Sequence, residues 1–505
     1  MSAFNPVGPH DQALLARVRP EDWENPEPRD RYDLVVLGGG TGGLVSAAIG
    51  AALGARVALV ERALLGGDCL NYGCVPSKAL LRSARAWAAA RDAAPRFHGP
   101  AATGEGDFAA VMDRMRRLRA DIAEVDGAER FRSLGVDVFL GSGRFVASDA
   151  LEVEGARLDF RRCILATGGR AALPPIPGLR ESEPLTNENV FSLTSLPDRL
   201  IVLGAGPIGS ELSLAFARFG SRVTLLDQAD APLPREEPEA GMIARATLDG
   251  AGVEFIGGTR IVQVERDRRG GVRVTTKTPS GETRIHEGAR VLAALGRTPN
   301  LDPSLERAGV ETTREGVVVD DRLRTTNRRI FAVGDVTGRH QFTHVADAHA
   351  RIATRNALFL GRQRVSDLVI PAATYLDPEI ARVGATAAEL EEQGKAFETV
   401  RIDFEHVDRA ILDGADGFLM VHVEAGGDDI LGATVVADNA GDLVSQLSQT
   451  MALGVGLTEL GDVIFPYPTV AEALRKAADA RRRTRLTERT RKLFDLFFRI
   501  WRRFV

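Results

Sequence analysis

Two copies of one glycine-rich strand–turn–helix–strand pattern, followed by a stretch that mixes strands with helices, predict an α/β protein with two Rossmann-like domains and a C-terminal α+β domain. At 505 residues the chain has room for three or four domains of ~150 residues. Its 44% hydrophobic and 26% charged content is ordinary globular usage and excludes wholesale disorder. A formal net charge of −5 gives no reason to expect nucleic acid as a partner. Three cysteines are too few for a secreted disulfide scaffold. The N-terminus has no apolar core of signal-peptide length, and the uncharged run 34–55 centres on GGGTGG rather than on bulky apolar residues, so a soluble, cytoplasmic chain is expected.

Along the chain, residues 1–30 are polar and proline-containing, an arm that packs on a domain or stays mobile. YDLVVLGGGTGGLVSAAIGAALGARVALVE, from Tyr32, reads as strand, glycine turn, small-residue helix and strand. ARAWAAARDAAPRF and FAAVMDRMRRLRADIAEVDGAERFRSLG read as two helices, and VDVFLGSGRFVASDALEVEGARLDFRRCILATGG as short strands. RLIVLGAGPIGSELSLAFARFGSRVTLLD repeats the opening pattern. GVRVTTKT and TRIHEGARVLAALG then suggest strands. From PAATYLDPEIARVG onward, strands such as GFLMVHVEA and ILGATVVAD alternate with helices such as DLVSQLSQTMALG.

Each repeat carries G-x-G-x-x-G directly after its first strand: Gly38, Gly40 and Gly43, then Gly204, Gly206 and Gly209. The first glycine permits the tight turn, the second lets backbone approach a pyrophosphate, and the third allows close helix–strand packing. Glu61 and Asp227 end the second strand of each unit, where a carboxylate accepts ribose hydroxyls. Two such units imply two dinucleotides, one flavin and one nicotinamide. Asp227 repels a 2′-phosphate, which favours NADH over NADPH.

Cys69 and Cys74 share the turn GGDCLNYGCVPSKALL. As residues alone they read as inert thiols, half a metal site or a reversible disulfide. A metal would need two further thiol or imidazole ligands, and none clusters with them. The helix that follows lowers the pKa of a nearby thiol.

GGDCLNYGCVPSKALL resembles the redox-active segment of the flavin-dependent pyridine nucleotide–disulfide oxidoreductases, and four further motifs extend the resemblance over residues 31–480. CILATGGRAALPPIPG is similar to the end of the first flavin segment, AALGRTPN to the exit of the nicotinamide domain, TTNRRIFAVGDV to the second flavin motif, and TYLDPEIARVG to the start of the dimerisation domain. The resemblance implies an arm (1–30), an FAD domain in two parts (31–178 and 300–367), an NAD(P) domain (179–299), a dimerisation domain (368–480) and a basic tail (481–505). It implies a homodimer that binds FAD and NADH or NADPH. It adds cofactor contacts at Gly67, Thr167, Gly168, Gly296, Arg297, Gly334 and Asp335, the last on the ribityl chain. It also implies a Cys69–Cys74 disulfide, with Cys74 against the flavin and Cys69 the exposed thiolate, and a Lys78–Glu211 pair near the flavin. No resident metal is implied; His340, His344 and His349 read as backbone contacts and helix capping, and Cys163 as a buried structural thiol.

The chain departs from the family near its C-terminus. FPYPTVAE puts Tyr467 where the glutathione and lipoamide enzymes carry a histidine that serves the other subunit's thiol, while Glu472 keeps its place. A phenol donates a hydrogen bond but is a poor base at neutrality. The exchange resembles mercuric reductases, yet no cysteine follows Cys163, which argues against mercury as substrate. Pro207 stands where some relatives place an aromatic gate.

The expected activity is NAD(P)H oxidation coupled to a disulfide-linked or soft electrophilic small-molecule acceptor. A lipoyl group or a membrane quinone is the alternative acceptor, and a flavin-based redox sensor the alternative of another class. From Arg475 to Val505 twelve Lys/Arg face three Asp/Glu, a net +9. Leu493, Phe494, Phe497, Ile500, Trp501 and Phe504 share one helical face, so residues 491–505 read either as a peripheral membrane contact or as a helix docked on protein.

Overall fold

The computed structural model describes residues 8–104, 106–267, 270–359 and 361–503. They form two compact units: the first comprises residues up to Pro232 with Leu248–Leu368, the second Leu233–Thr247 with the residues from Val369 on.

The first unit is built on a seven-stranded sheet. Tyr32–Leu37 lies at its centre, parallel to Val57–Glu61 on one side and Ala156–Leu165 on the other. Asp137–Leu140 extends the parallel ladder, and Ala150–Val153 and Arg144–Ala147 turn it antiparallel. Ile330–Ala332 returns from much later in the chain to pair with Ala156–Leu165, so the two halves expected of the first domain share one sheet. The continuous apolar run Leu34–Leu37 within Tyr32–Leu37 suits a strand covered on both faces. Cys163 is fully buried there, level with Val35 and Ile330, and burial pushes its thiol up.

A second parallel sheet, in the order Glu254–Ile256, Arg222–Leu226, Arg199–Leu203 and Arg290–Ala293, carries the second glycine turn. TRIHEGARVLAALG is divided at Ala289: Thr283–Gly288 closes an antiparallel meander, whereas Arg290–Ala293 joins the parallel sheet. The segment expected as one helix over FAAVMDRMRRLRADIAEVDGAERFRSLG is likewise divided. Phe108–Ile122 is α-helical, Ala123–Asp126 tightens into a 3₁₀ turn, and Gly127 adopts an extended conformation before Ala128–Ser133.

The arm packs on this unit. Helix Pro9–Val18 buries Leu14 and Val18 against Leu65, Ala120 and Phe131. Asp11, 1% exposed, pairs with Arg119 at 2.7 Å and Arg116 at 3.7 Å. The Trp23 indole N–H donates to the Val138 carbonyl, and Asn25 bonds both backbone groups of Leu140.

The second unit is a five-stranded antiparallel sheet, Pro371–Thr374, Glu379–Gly384, Ile430–Ala437, Phe418–Glu424 and Phe397–Asp403, with helices Ala440–Ala452 and Glu472–Thr484 packed on it. Helix Glu488–Trp501 follows with no buried residue. Leu493, Phe494, Leu496, Phe497, Phe498, Ile500 and Trp501 are each about half exposed. Phe504 lies outside the described residues. Among these residues no helix is long and apolar enough to cross a membrane.

Candidate active site

The two glycine turns have the same construction. Gly38 and Gly204 take φ of 110° and 98°, conformations that side chains rarely adopt. A Cβ on Gly43 would lie 1.7 Å from the Gly38 carbonyl oxygen, and one on Gly209 would lie 1.8 Å from that of Gly204, so the third glycine of each motif is obligatory. At the second glycine the space is open: nothing lies within 4 Å of a Cβ on Gly206, and only Gly67 Cα, at 3.7 Å, near one on Gly40. Helices Thr41–Ala52 and Pro207–Phe219 start beside these openings. The helix ends and the uncovered backbone at the second glycine fit a diphosphate at each site.

Glu61 and Asp227 also match. Glu61 accepts the backbone N–H groups of Gly39 and Ala63, both at 2.6 Å, and Asp227 those of Ala205 at 2.5 Å and Ala229 at 2.8 Å. Each carboxylate therefore braces the turn as well as marking the strand end. Burial raises the Glu61 pKa against these two hydrogen bonds.

The cysteine segment is attached to the first turn through Gly67, where a Cβ would press to 2.5 Å from Gly40 Cα. Cys69 lies in the short helix Gly67–Asn71, and Cys74 is the first residue of helix Cys74–Phe97. Both are free thiols, and each is the largest influence on the other's ionisation. The hydrogen bond from Cys69 pulls Cys74 down to about 6. The Thr343 hydroxyl, 3.4 Å away, and the Lys78 ammonium add to this, and burial opposes it. The same hydrogen bond and burial push Cys69 up. Cys74 is exposed and Cys69 half-buried. Cys74 opens its helix, whereas Cys69 sits inside one. The two shifts favour ionisation at Cys74 over Cys69.

Lys78 follows Cys74 by one helical turn, and its ammonium meets Glu211 of helix Pro207–Phe219 at 2.6 Å. Glu211 is 5% exposed and Lys78 35%, so the pair shows mainly its cationic end. Arg297 binds Asp335 and Asp68, each at 3.1 Å. Thr167 and Asn300 exchange two hydrogen bonds beside Gly168, and Gly296 and Gly334 both take positive φ. His349 is buried and its Nδ1 accepts the Gly334 N–H; burial lowers it to about 4, so it is neutral. His344 stacks on Phe342.

In the second unit, Tyr467 is exposed and donates to Asp408 at 2.8 Å, a bond that raises the phenol's pKa. Glu472 turns along its own helix to Arg475 and does not hydrogen-bond the phenol. Sequence reasoning missed Asp408, Thr343, Asp68 and Asn187. For Thr343 and Asp408 the partner is far away in sequence and no motif links them. Asp68 lies inside the quoted cysteine segment, and its charge beside Cys69 was a usable signal.

Residues 32–350 match the family described as pyridine nucleotide-disulphide oxidoreductase, and residues 370–478 match that family's dimerisation domain. A mercuric reductase of Lysinibacillus sphaericus is 32% identical over 89% of this chain and 82% of its own length. A dihydrolipoyl dehydrogenase of Bacillus subtilis is 31% identical over 88% and 97%. Among solved structures, the HOCl-induced flavoprotein disulfide reductase RclA from Escherichia coli superposes with a TM-score of 0.78 at 28% identity, covering 88% of this chain and 99% of its own. LpdA from Mycobacterium tuberculosis gives 0.80 at 27%, over 88% and 99%. With both domain matches in order and relatives aligned over most of their length, the chain belongs to the FAD-dependent pyridine nucleotide–disulfide oxidoreductases.

Proposed function

We propose that the protein oxidises NADH or NADPH, passes the two electrons through FAD to the Cys69–Cys74 pair, and delivers them to a disulfide-linked or soft electrophilic small-molecule acceptor. The observation that carries this reading is the pair of free thiols at the start of adjoining helices, joined through Gly67 to the first glycine turn and in the same unit as a second turn of matching build. The balance closes: a hydride added to the disulfide yields the Cys74 thiolate and the Cys69 thiol, and an acceptor disulfide returns the pair to S–S while leaving as one thiol, which carries the Cys69 proton, and one thiolate, which takes a proton from water. Bound FAD supplies a carrier that accepts hydride on one side and reduces sulfur on the other. Gly38, Gly40, Gly43, Glu61, Gly67 and Asp335 would hold FAD. Gly204, Gly206, Gly209 and Asp227 would hold the nicotinamide dinucleotide, with NADH favoured because a carboxylate stands where a 2′-phosphate would go. The Lys78 cation, kept in place by Glu211, favours the Cys74 thiolate.

Cys163 is fully buried, so Cys69 and Cys74 are the thiols that an acceptor meets. No second accessible pair to relay a soft metal ion is found among the described residues. The dimerisation domain supports a homodimer, and Tyr467, held by Asp408, serves the acceptor side as a hydrogen-bonding phenol rather than as a base. Anaerobic reduction tests the reading. The protein is expected to take up more electrons than FAD alone accepts and to develop long-wavelength charge-transfer absorbance; Cys74→Ser abolishes that band. Uptake limited to the flavin's two electrons would count against the disulfide.

The tail belongs to the same reading as a peripheral contact with an anionic membrane. Helix Glu488–Trp501 exposes seven large apolar residues beside Arg491, Lys492 and Arg499, the composition of an interfacial helix, and the basic charge complements acidic headgroups. The full chain is expected to pellet with vesicles rich in anionic phospholipid, and a version ending at Ala480 to stay in solution. Equal pelleting of the two, or a change of oligomeric state in its place, would remove the membrane assignment.

A further inference from the structure

Asp68 stands between Gly67, which packs on the first glycine turn, and Cys69. Its carboxylate is held at both oxygens: Oδ1 accepts the Asn187 side-chain N–H at 2.9 Å, and Oδ2 meets Arg297 Nη1 at 3.1 Å. Asn187 reaches on to the Tyr72 carbonyl at 3.4 Å, so the clamp grips the cysteine loop at two points. The carboxylate turns under the loop, since a Cβ on Gly73 would lie 3.2 Å from Asp68 Oδ2 and 3.0 Å from the Asp68 carbonyl oxygen. Asp68 is thus fixed beneath the residue that precedes Cys74 and next in sequence to Cys69.

The charges do not cancel. Arg297 also binds Asp335 at 3.1 Å, so one guanidinium serves two carboxylates and leaves one negative charge uncompensated when both are ionised; burial raises the Asp68 pKa and the Arg297 guanidinium opposes that rise. All three groups are shielded from water to some degree, with side-chain exposures of 33% for Asp68, 12% for Arg297 and 17% for Asp335, so the excess charge is felt by its neighbours. Asp68 adjoins Cys69 in sequence and lies under Gly73, which precedes Cys74, and Glu188 adds a further negative charge on Asp68 and Arg297. Facing the two thiols, the Lys78 ammonium and the Thr343 hydroxyl favour a thiolate at Cys74, and Asp68 works against ionisation of both sulfurs.

We propose that Asp68 is a positioning residue that sets the thiol–thiolate balance of the Cys69–Cys74 pair: through Arg297 and Asn187 it fixes a negative charge under the cysteine loop, disfavours the thiolate, and makes the reduced pair a stronger donor of electrons. The inference rests on the pair cycling between disulfide and dithiol, as set out under the proposed function. The charge does not block ionisation, because the Cys69 hydrogen bond, Thr343 and Lys78 outweigh it. It limits how far the thiolate is stabilised, and that limit raises the reducing strength delivered to the acceptor.

Asp68→Asn removes the charge and nearly preserves the shape. Asp68→Glu keeps the charge, and Asn187→Ala loosens the same clamp without changing charge. Two quantities are read on the purified holoenzyme: the pH midpoint of Cys74 alkylation, and the midpoint potential of the cysteine pair against a thiol–disulfide buffer. In Asp68→Asn the alkylation midpoint is expected to fall by about one unit, as for loss of a nearby like charge. The potential is expected to rise by about 30 mV, the two-electron equivalent of a tenfold change in equilibrium constant. Asp68→Glu should match the parent in both, and Asn187→Ala, which keeps the charge but frees one of its two holds, should move each value less than Asp68→Asn does. The inference is overturned if Asp68→Asn leaves both values in place, or if Asn187→Ala shifts them equally, which would make the clamp purely mechanical. If the parent protein shows no thiol–disulfide midpoint at all, it is the proposed function that fails.

Discussion

Replacing Cys69 with alanine is expected to lower turnover with a disulfide acceptor by at least about a thousandfold while leaving flavin reduction by NADH close to normal, because the nucleophile acts as one unit with its partner. The geometry adds a second consequence. The Cys69 hydrogen bond is the largest influence holding Cys74 near 6, so its loss raises the Cys74 midpoint by at least one unit. The thiol was depressed in the folded protein; hence its ionisation contributes stability that is fully present above the pKa of an unfolded thiol and is lost as pH falls through about 6. In the alanine variant the contribution is smaller and its loss is complete at a higher pH. Alkylation rate against pH, measured on both proteins, checks the shift, and superimposable profiles would sever Cys69 from the thiolate.

Gly43→Ala and Gly209→Ala are expected to separate the two nucleotide sites. Each methyl would enter within 2 Å of a carbonyl oxygen in its own turn, a clash with backbone that no side-chain movement relieves. Overpacking of this kind costs about 1–3 kcal/mol or more. Gly43→Ala should therefore yield protein largely stripped of FAD and nearly colourless. Gly209→Ala should stay yellow, with the KM for NADH raised roughly tenfold or more and photoreduction of the flavin unaffected. Loss of FAD from Gly209→Ala with retention in Gly43→Ala would reverse the assignment of the two turns. Flavin-to-protein absorbance ratios and NADH saturation curves supply the readout.

The two-domain plan was legible in the sequence because the glycine turns are demanded locally: positive φ at Gly38 and Gly204, and carbonyl contact at Gly43 and Gly209, tolerate no side chain. The cysteine segment was legible for a similar reason, since its chemistry lies within six consecutive residues. Helix and strand boundaries were less so. Gly127 and Ala289 divide segments whose apolar pattern runs straight through them, because the partner strand or helix decides where each piece ends. The arm left two readings open in sequence, and Asp11 with Arg116 and Arg119 shows it packed on the first unit.

Sequence alone therefore pointed to the glycine turns proposed to hold phosphate and to the two sulfurs proposed to exchange electrons, as these depend on neighbours a few positions apart. Tertiary structure decided which charges reach each sulfur. Thr343, Lys78 with Glu211, and Asp68 with Arg297 reach the cysteine loop from separate elements, and electrostatic influence depends on distance in space rather than along the chain.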